Sequence, residues 1–296
     1  LLDGVKRPMV EAIGHFNAVV FVPQMSRIIE GGPDERRRFL NLSIAQSEPG
    51  YAKALSEYSQ GISQRNALLK QLNEHRGDPE QLEYWDDVIS RTGAMIIKER
   101  IQTLIDLEGI SRTYHQDLTN DIEILNLEYQ PAFEPLPGMD RQISLPMDTR
   151  VDRSKLTVEE IQEGFISRLK QIRREEIARG VTTIGPHRDD VRFLVNGLDL
   201  GDYGSRGQIR TAILALKLAE MKWMHERTGQ WPVILLDEVM AELDGQRRND
   251  LQKHLSESEQ SMLTTTDLSP FNPGFITAAA CWKIEEGQVT NLENKE

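Results

Sequence analysis

Trp231-Pro232-Val233-Ile234-Leu235-Leu236-Asp237-Glu238-Val239-Met240-Ala241-Glu242-Leu243-Asp244 is the stretch on which the fold turns. Val233 to Leu236 is an apolar run too short for a buried helix and without polar alternation, so it predicts a central strand covered on both faces. Two carboxylates follow at its end. Adjacent strand residues point to opposite sides of a sheet, so of Asp237 and Glu238 one can hold a hard cation and the other orient a water. Taken alone, the stretch is equally well explained as a buried strand running into a solvated acidic loop.

Upstream, Tyr203-Gly204-Ser205-Arg206-Gly207-Gln208-Ile209-Arg210 leads into Thr211-Ala212-Ile213-Leu214-Ala215-Leu216-Lys217-Leu218-Ala219-Glu220, which is rich in strong helix formers. Glycines flanking a serine at a helix start let backbone N–H groups and the helix dipole approach an anion closely. An ordinary serine cap explains Ser205 but not its neighbours. The loop resembles the signature loop of the ABC-type ATPases, with Ser205, Gly207 and Gln208 matching and Arg206 at a variable place. Followed by a buried strand, Asp237-Glu238 and Ala241-x-Leu243-Asp244, it makes the acidic pair similar to a Walker B motif and Asp244 similar to the residue of the D-loop.

Transporter subunits of that superfamily usually carry proline after the Asp-Glu pair, whereas Asp237-Glu238-Val239 is similar to the SMC and RecF branch that works on DNA. Gly185-Pro186-His187-Arg188-Asp189-Asp190, followed by Phe193-Leu194-Val195-Asn196-Gly197, resembles the RecF family of bacterial recombination proteins. So do Val20-Phe21-Val22-Pro23, Glu35-Arg36-Arg37-Arg38-Phe39-Leu40 and Gln64-Arg65-Asn66-Ala67-Leu68-Leu69-Lys70, so the resemblance covers essentially the whole chain.

The resemblance implies an α/β fold: an ABC/SMC-type ATPase head of P-loop NTPase type, its N-terminal lobe incomplete, with an inserted α-helical hairpin arm. Residues 1–33 would end the N-terminal lobe, 34–180 form the mainly helical arm, and 181–296 the C-terminal lobe with signature loop, Walker B and D-loop. It implies ATP and Mg²⁺ as cofactors. Asp237 would hold the metal through its water shell, Glu238 would be the catalytic group on the attacking water, and Gln24 would sense both. Ser205, Arg206, Gly207 and Gln208 would cap the nucleotide of the other subunit, with Asp244 at the dimer interface. The implied function is a cytoplasmic DNA-binding ATPase of replication, recombinational repair and the SOS response. It would form a homodimer on ATP at gapped or single-strand/double-strand junction DNA and help RecR and RecO load recombinase.

Gly-Lys-Ser/Thr occurs nowhere in the 296 residues, and in this family the P-loop would precede Leu1. The expectation is an N-terminally truncated chain, opening in a hairpin at Leu1-Leu2-Asp3-Gly4-Val5, that neither hydrolyses ATP nor dimerises on it by itself. A non-catalytic adapter with a degenerate head is the competing expectation.

Composition narrows the classes further. A net charge of −12, from 35 Lys and Arg against 47 Asp and Glu, excludes a surface that coats DNA generally and confines any DNA contact to a patch. The lone Cys281 excludes an internal disulfide and a cysteine zinc site, and no apolar run approaches the ~20 residues of a membrane span.

Along the chain, Ala18 to Val22 predicts a strand stopped by Pro23, and Pro33 with Asp34 and Glu35 a helix start. Arg36, Arg37 and Arg38 wrap most of a turn and read as a solvated face paired with neighbouring acids. Tyr51, Leu55, Tyr58, Ile62, Leu69 and Leu72 make a narrow seam that only Arg65 breaks. Gly77-Asp78-Pro79 turns the chain. Trp85, Ile89, Thr92, Ile96, Ile97, Ile101, Leu104 and Ile105 form the returning stripe. Ile122 to Tyr129 reads as a strand, Pro131 to Met147 as a connection, and Thr157-Val158-Glu159-Glu160 as a capping box for a helix ending at Gly180. After the strand beginning at Ser261, Thr266 or Asp267 stands where ABC transporters place a histidine, and Cys281 to Val289 predicts a terminal hairpin.

Overall fold

The computed structural model describes Gly4, Lys6 and residues 13–135 and 151–292; most of the hairpin expected at Leu1–Val5 and the connection beyond Pro135 lie outside them. In chain order the elements are β1 (Ala18–Phe21), α1 (Pro33–Ser47), α2 (Tyr51–Asn73), α3 (Leu82–Thr119), β2 (Leu125–Gln130), α4 (Val158–Arg179), β3 (Asp190–Val195), β4 (Leu198–Asp199), α5 (Arg206–Thr228), β5 (Val233–Asp237), α6 (Gly245–Ser256), β6 (Ser261–Thr264), α7 (Pro273–Ala278), β7 (Cys281–Glu285) and β8 (Gln288–Leu292). Single helical turns stand at Arg27–Glu30, Leu200–Tyr203 and Val239–Glu242.

β5 is central in a parallel sheet of order β1-β5-β6, with Phe21 opposite Leu236 and Asp237 opposite Thr264. One face is buried through Val19, Phe21, Ile234 and Leu236. The cover expected on the other face is incomplete: Val20 and Met262 on it remain 43% and 59% exposed. Helix α5 packs against β1, α1 and α3. Its near-continuous buried run from Thr211 to Met221 is that of a helix enclosed on all sides. Within it, Lys217 is paired with Glu220 and stands 5.8 and 5.7 Å from the centroids of the Phe21 and Phe39 rings, which spreads a buried charge over two aromatic faces.

The expected helical hairpin is α2 and α3, and α4 packs against both to make three helices. At about 1.5 Å per residue the 38-residue α3 is roughly 57 Å long, so one continuous helix connects the arm to the ground beside α5. Arg65, the break in the seam, is completely buried. Its Nε donates to Asp86 at 2.7 Å, and its Nη1 lies 2.7 Å from Glu176 and 2.8 Å from Thr182 Oγ1. A single guanidinium therefore fastens α2 to α3, α4 and the loop that follows α4. Ile105 is the exception in the α3 stripe, being 43% exposed.

Gly185–Asp190 forms the joint between helices and sheet. Gly185 has φ 116°, and a Cβ there would stand 2.6 Å from Phe165 Cζ, so both backbone and space require glycine. Arg100 of α3 donates to Pro186 O at 2.6 Å and to Asn41 of α1 at 3.0 Å. Asp189 accepts from Ala132 N at 2.8 Å and from the Tyr129 hydroxyl, with Arg100 at 3.4 Å. Burial pushes the Asp189 carboxyl up while Arg100 pulls it down. His187 Nε2 faces the Thr182 carbonyl at 3.4 Å, which can only accept, so Nδ1 accepts from Tyr58 Oη at 2.7 Å. Burial lowers that imidazole to about 4, which makes His187 a neutral structural histidine.

Two of the three arginines of α1 depart from the expected solvated face, while Arg38 is exposed. Arg36 grips Asp190 with Nε at 2.6 Å and Nη2 at 2.9 Å, and Arg37 reaches the Asp189 carbonyl at 2.5 Å. Their partners lie about 150 residues away, where helical spacing could not place them. Strand β2 pairs antiparallel with β3, and β3 with β4 through the Asn196-Gly197 turn. The second strand of that hairpin ends at Asp199, because the Asp199 side chain accepts from Gly201 N and starts the Leu200–Tyr203 turn. β7 and β8 form the terminal hairpin.

Candidate functional site

Three loops meet at or near the carboxyl edge of the β1-β5-β6 sheet. At the end of β5, Asp237 is exposed, and Thr264 Oγ1 of β6 donates to its Oδ1 at 2.6 Å. The same hydroxyl oxygen accepts from Glu238 N at 3.3 Å, and the Thr264 carbonyl lies 3.4 Å from that N–H. Glu238 is half-buried and left-handed, with φ 56° and ψ 11°. It has therefore left strand geometry, so the two carboxylates are parted by a strained turn and not by the alternation of a pleat. Thr264 was not singled out by the sequence, where position along the chain favoured Thr266 or Asp267. Asp267 instead accepts from Ser269 N at 2.9 Å and from its hydroxyl, which together hold the exposed Asp267 carboxyl below the usual range.

The loop before α5 builds the second element. Ser205 and Gln208 form a reciprocal capping box: Ser205 Oγ accepts from Gln208 N at 3.2 Å and Gln208 Oε1 from Ser205 N at 3.0 Å. Gln208 Nε2 donates onward to Glu123 at 2.8 Å. Ser205, Arg206 and Gly207 are exposed. A Cβ on Gly207 would meet only Ser205 Oγ at 4.0 Å, so nothing among the described residues requires glycine there.

Asp244 supplies the third element as the N-cap of α6, accepting from Arg247 N at 3.0 Å and paired with the Arg247 guanidinium. It shares a cleft of about 300 Å³ with Gln208, Glu123 and Arg247. A second cleft, about 290 Å³, is lined by Pro23, Ser26, Arg206 and Val239. Gln24 lies exposed in the Pro23–Ser26 turn that continues β1. The fold thus brings Asp237 and Glu238 together, sets the turn of Gln24 beside Arg206, and sets Asp244 beside Gln208. Among the described residues no hydrogen bond joins Ser205, Gly207 or Gln208 to Asp237 or Glu238.

The donor set suits a magnesium phosphate. Among the described residues no group of three or more His, Cys, Asp or Glu could cage a metal. One exposed carboxylate beside a hydroxyl is the protein share expected for Mg²⁺, which keeps waters and takes its other ligands from phosphate. A helix N-terminus with two exposed residues and a bare glycine fits an anion. Among the described residues no helix is long and apolar enough to cross a membrane.

Comparison with known proteins gives a consistent result. The chain is 36% identical over 291 residues to the DNA replication and repair protein RecF of Chloroflexus aurantiacus (strain ATCC 29364 / DSM 637 / Y-400-fl), covering 96% of this chain and 70% of the relative. It is 36% identical over 293 residues to the protein of the same description from Desulforamulus reducens, covering 99% of this chain and 74% of the relative. Among solved structures, the recombination mediator protein RecF with ATP, of the RecFOR pathway, superposes with a TM-score of 0.81 at 31% identity, covering 97% of this chain and 70% of that one. The corresponding RecF-ATPrS structure gives 0.80 over 97% and 71%. No protein-family model matches the chain.

Proposed function

The chain belongs to the RecF family, and from that membership we propose that it acts in DNA replication and recombinational repair through an ATP-dependent dimer. One observation carries the reading: the exposed Ser205–Gly207 loop and the Asp237–Glu238 edge are chemically complementary to one magnesium phosphate, yet among the described residues no hydrogen bond connects them. Two copies facing each other would bring the loop of one to the edge of the other.

Bound Mg-ATP supplies the scissile phosphate bond and the negative charge that the site must stabilise. Asp237 would hold the metal, and Thr264 keeps one Asp237 oxygen in place. Glu238 orients the attacking water from its left-handed turn, and Gln24 borders the same edge. Ser205, Arg206, Gly207 and Gln208 cap the partner's nucleotide at the N-terminus of α5, with Asp244 at the interface. The macromolecular partners are gapped or junction DNA, met through a patch as the net charge of −12 requires, together with RecR and RecO, in the cytoplasm.

Gly207 tests this reading by opposite signs. In the full-length protein Gly207→Ala is expected to raise thermal stability slightly, since alanine favours a helix by up to about 1 kcal/mol over glycine. The added methyl crowds the nucleotide across the interface, so ATP-dependent dimerisation weakens by about tenfold or more, a change worth about 1.4 kcal/mol. Sedimentation with and without Mg-ATP reads both the wild type and the variant. A wild type that stays monomeric with ATP would favour the adapter reading.

Thr264 gives a second test. Thr264→Val keeps the shape and removes the hydroxyl that donates to Asp237, so half-saturation of hydrolysis by Mg²⁺ rises by several-fold, as loss of about 1 kcal/mol of hydrogen bonding implies. Thr264→Ser restores it. Equal Mg²⁺ titrations for Val, Ser and wild type would remove Thr264 from the site.

A further inference from the structure

Glu123 lies between the arm and the signature loop and is held from both sides. On the arm side, the backbone carbonyl of Glu123 faces His115 Nδ1 at 3.4 Å and Thr119 Oγ1 at 3.5 Å, both in the last turns of α3. His115 is completely buried, and its Nε2 stands 3.8 Å from Glu123 Oε2. Asn120 and Asp121, between α3 and Glu123, are both left-handed, with φ 51° and 60°. Two consecutive non-glycine residues in that region make a sharp, costly turn that sets Glu123 back against the helix it has just left. Ile124 is fixed in turn, its N donating to Asn196 Oδ1 at 3.0 Å and its carbonyl accepting from Asn196 N at 3.1 Å.

On the other side, Glu123 Oε1 accepts from Gln208 Nε2 at 2.8 Å. This bond determines which end of the Gln208 amide meets Ser205. With Nε2 committed to a carboxylate, Oε1 must face the Ser205 N–H, where it lies at 3.0 Å. Without Glu123 the amide is free to turn over, and the capping box that shapes the Ser205–Gln208 loop is lost.

We propose that Glu123 is a positioning residue for the signature loop, coupling the end of the arm helix α3 to the loop that caps the partner's nucleotide. It touches neither nucleotide nor metal and acts through Gln208. The coupling rests on the ATP-dependent dimer proposed above for its consequence, but not for its geometry, and the two are separable by experiment.

The test compares wild type, Glu123→Ala and Glu123→Gln in the full-length protein. Without nucleotide, amide hydrogen exchange at Ser205 and Gln208 is expected to quicken by about tenfold in Glu123→Ala, the order expected for losing a hydrogen bond to a charged group. Glu123→Gln keeps an acceptor for Gln208 and restores protection. With Mg-ATP, wild type gains protection in the signature loop and in the last turn of α3 together; in Glu123→Ala the gain at α3 is lost, and dimerisation is about tenfold weaker. Unchanged Ser205 exchange in Glu123→Ala, or Glu123→Gln behaving like Glu123→Ala, overturns the proposal. A wild type that fails to dimerise on ATP overturns the proposed function instead, and leaves the exchange result standing as the test of the coupling.

Discussion

Full-length protein carrying Glu238→Gln is expected to hydrolyse ATP about 10²–10⁴-fold more slowly than wild type, the usual contribution of a positioned acid–base group. The substitution keeps size and hydrogen-bonding capacity and removes only the negative charge. Among the described residues no hydrogen bond or ion pair engages that carboxylate: Glu238 is attached to its surroundings through its backbone N–H, which meets the carbonyl and hydroxyl of Thr264. Binding of nucleotide and dimerisation should therefore survive, and the dimer should persist because its nucleotide is not consumed. Single-turnover hydrolysis measured beside sedimentation separates the two effects. A rate within threefold of wild type would remove Glu238 from the reaction and leave Asp237 and Thr264 as a structural pair at a strand end.

The second large effect concerns stability. Arg65→Met is expected to cost about 3–5 kcal/mol, because removing one partner of a buried ion pair leaves the other charges uncompensated. Here two carboxylates are stranded: Asp86 is 3% exposed and Glu176 is completely buried. Asp86 keeps Arg173 at 3.0 Å, and Glu176 keeps the Thr183 N–H at 2.6 Å and its hydroxyl at 3.0 Å, which relieves part of the loss. Further replacement of Asp86 and Glu176 by apolar residues of matching volume should recover much of it, since such networks are often no more stable than a well-packed apolar core. Urea unfolding at constant slope gives the difference directly. A loss under 1 kcal/mol for Arg65→Met would mean that water reaches the three helices and screens the cluster.

How much of this was legible depended on the range of the interaction. The capping box at Thr157–Glu160, the Gly77-Asp78-Pro79 turn and, apart from Ile105, the α2 and α3 stripes formed as read, because each is decided by residues within a few positions of one another. The Gly185–Asp190 run was recognisable as a motif, but its purpose was not. Arg100, Tyr129, Tyr58 and Arg36, which hold its proline carbonyl, histidine and two aspartates, come from four separate elements.

By itself, then, the sequence determined the central strand running into Asp237, the helix starting at Ser205 and the family to which these motifs belong. Local hydrogen bonding, helical and strand periodicity and residue geometry suffice for each of them. Only the tertiary structure decided that Thr264 secures Asp237, that Glu238 stands in a turn, that Arg65 is a buried tie and not a flaw in a seam, and that Glu123 joins the arm to the signature loop. Each of those depends on strand register or helix packing between residues from 21 to 117 positions apart, counting from Arg65 to Asp86 and from Arg65 to Thr182. Loop closure over such spans is compatible with many pairings, and it is the burial of the shared core that selects one.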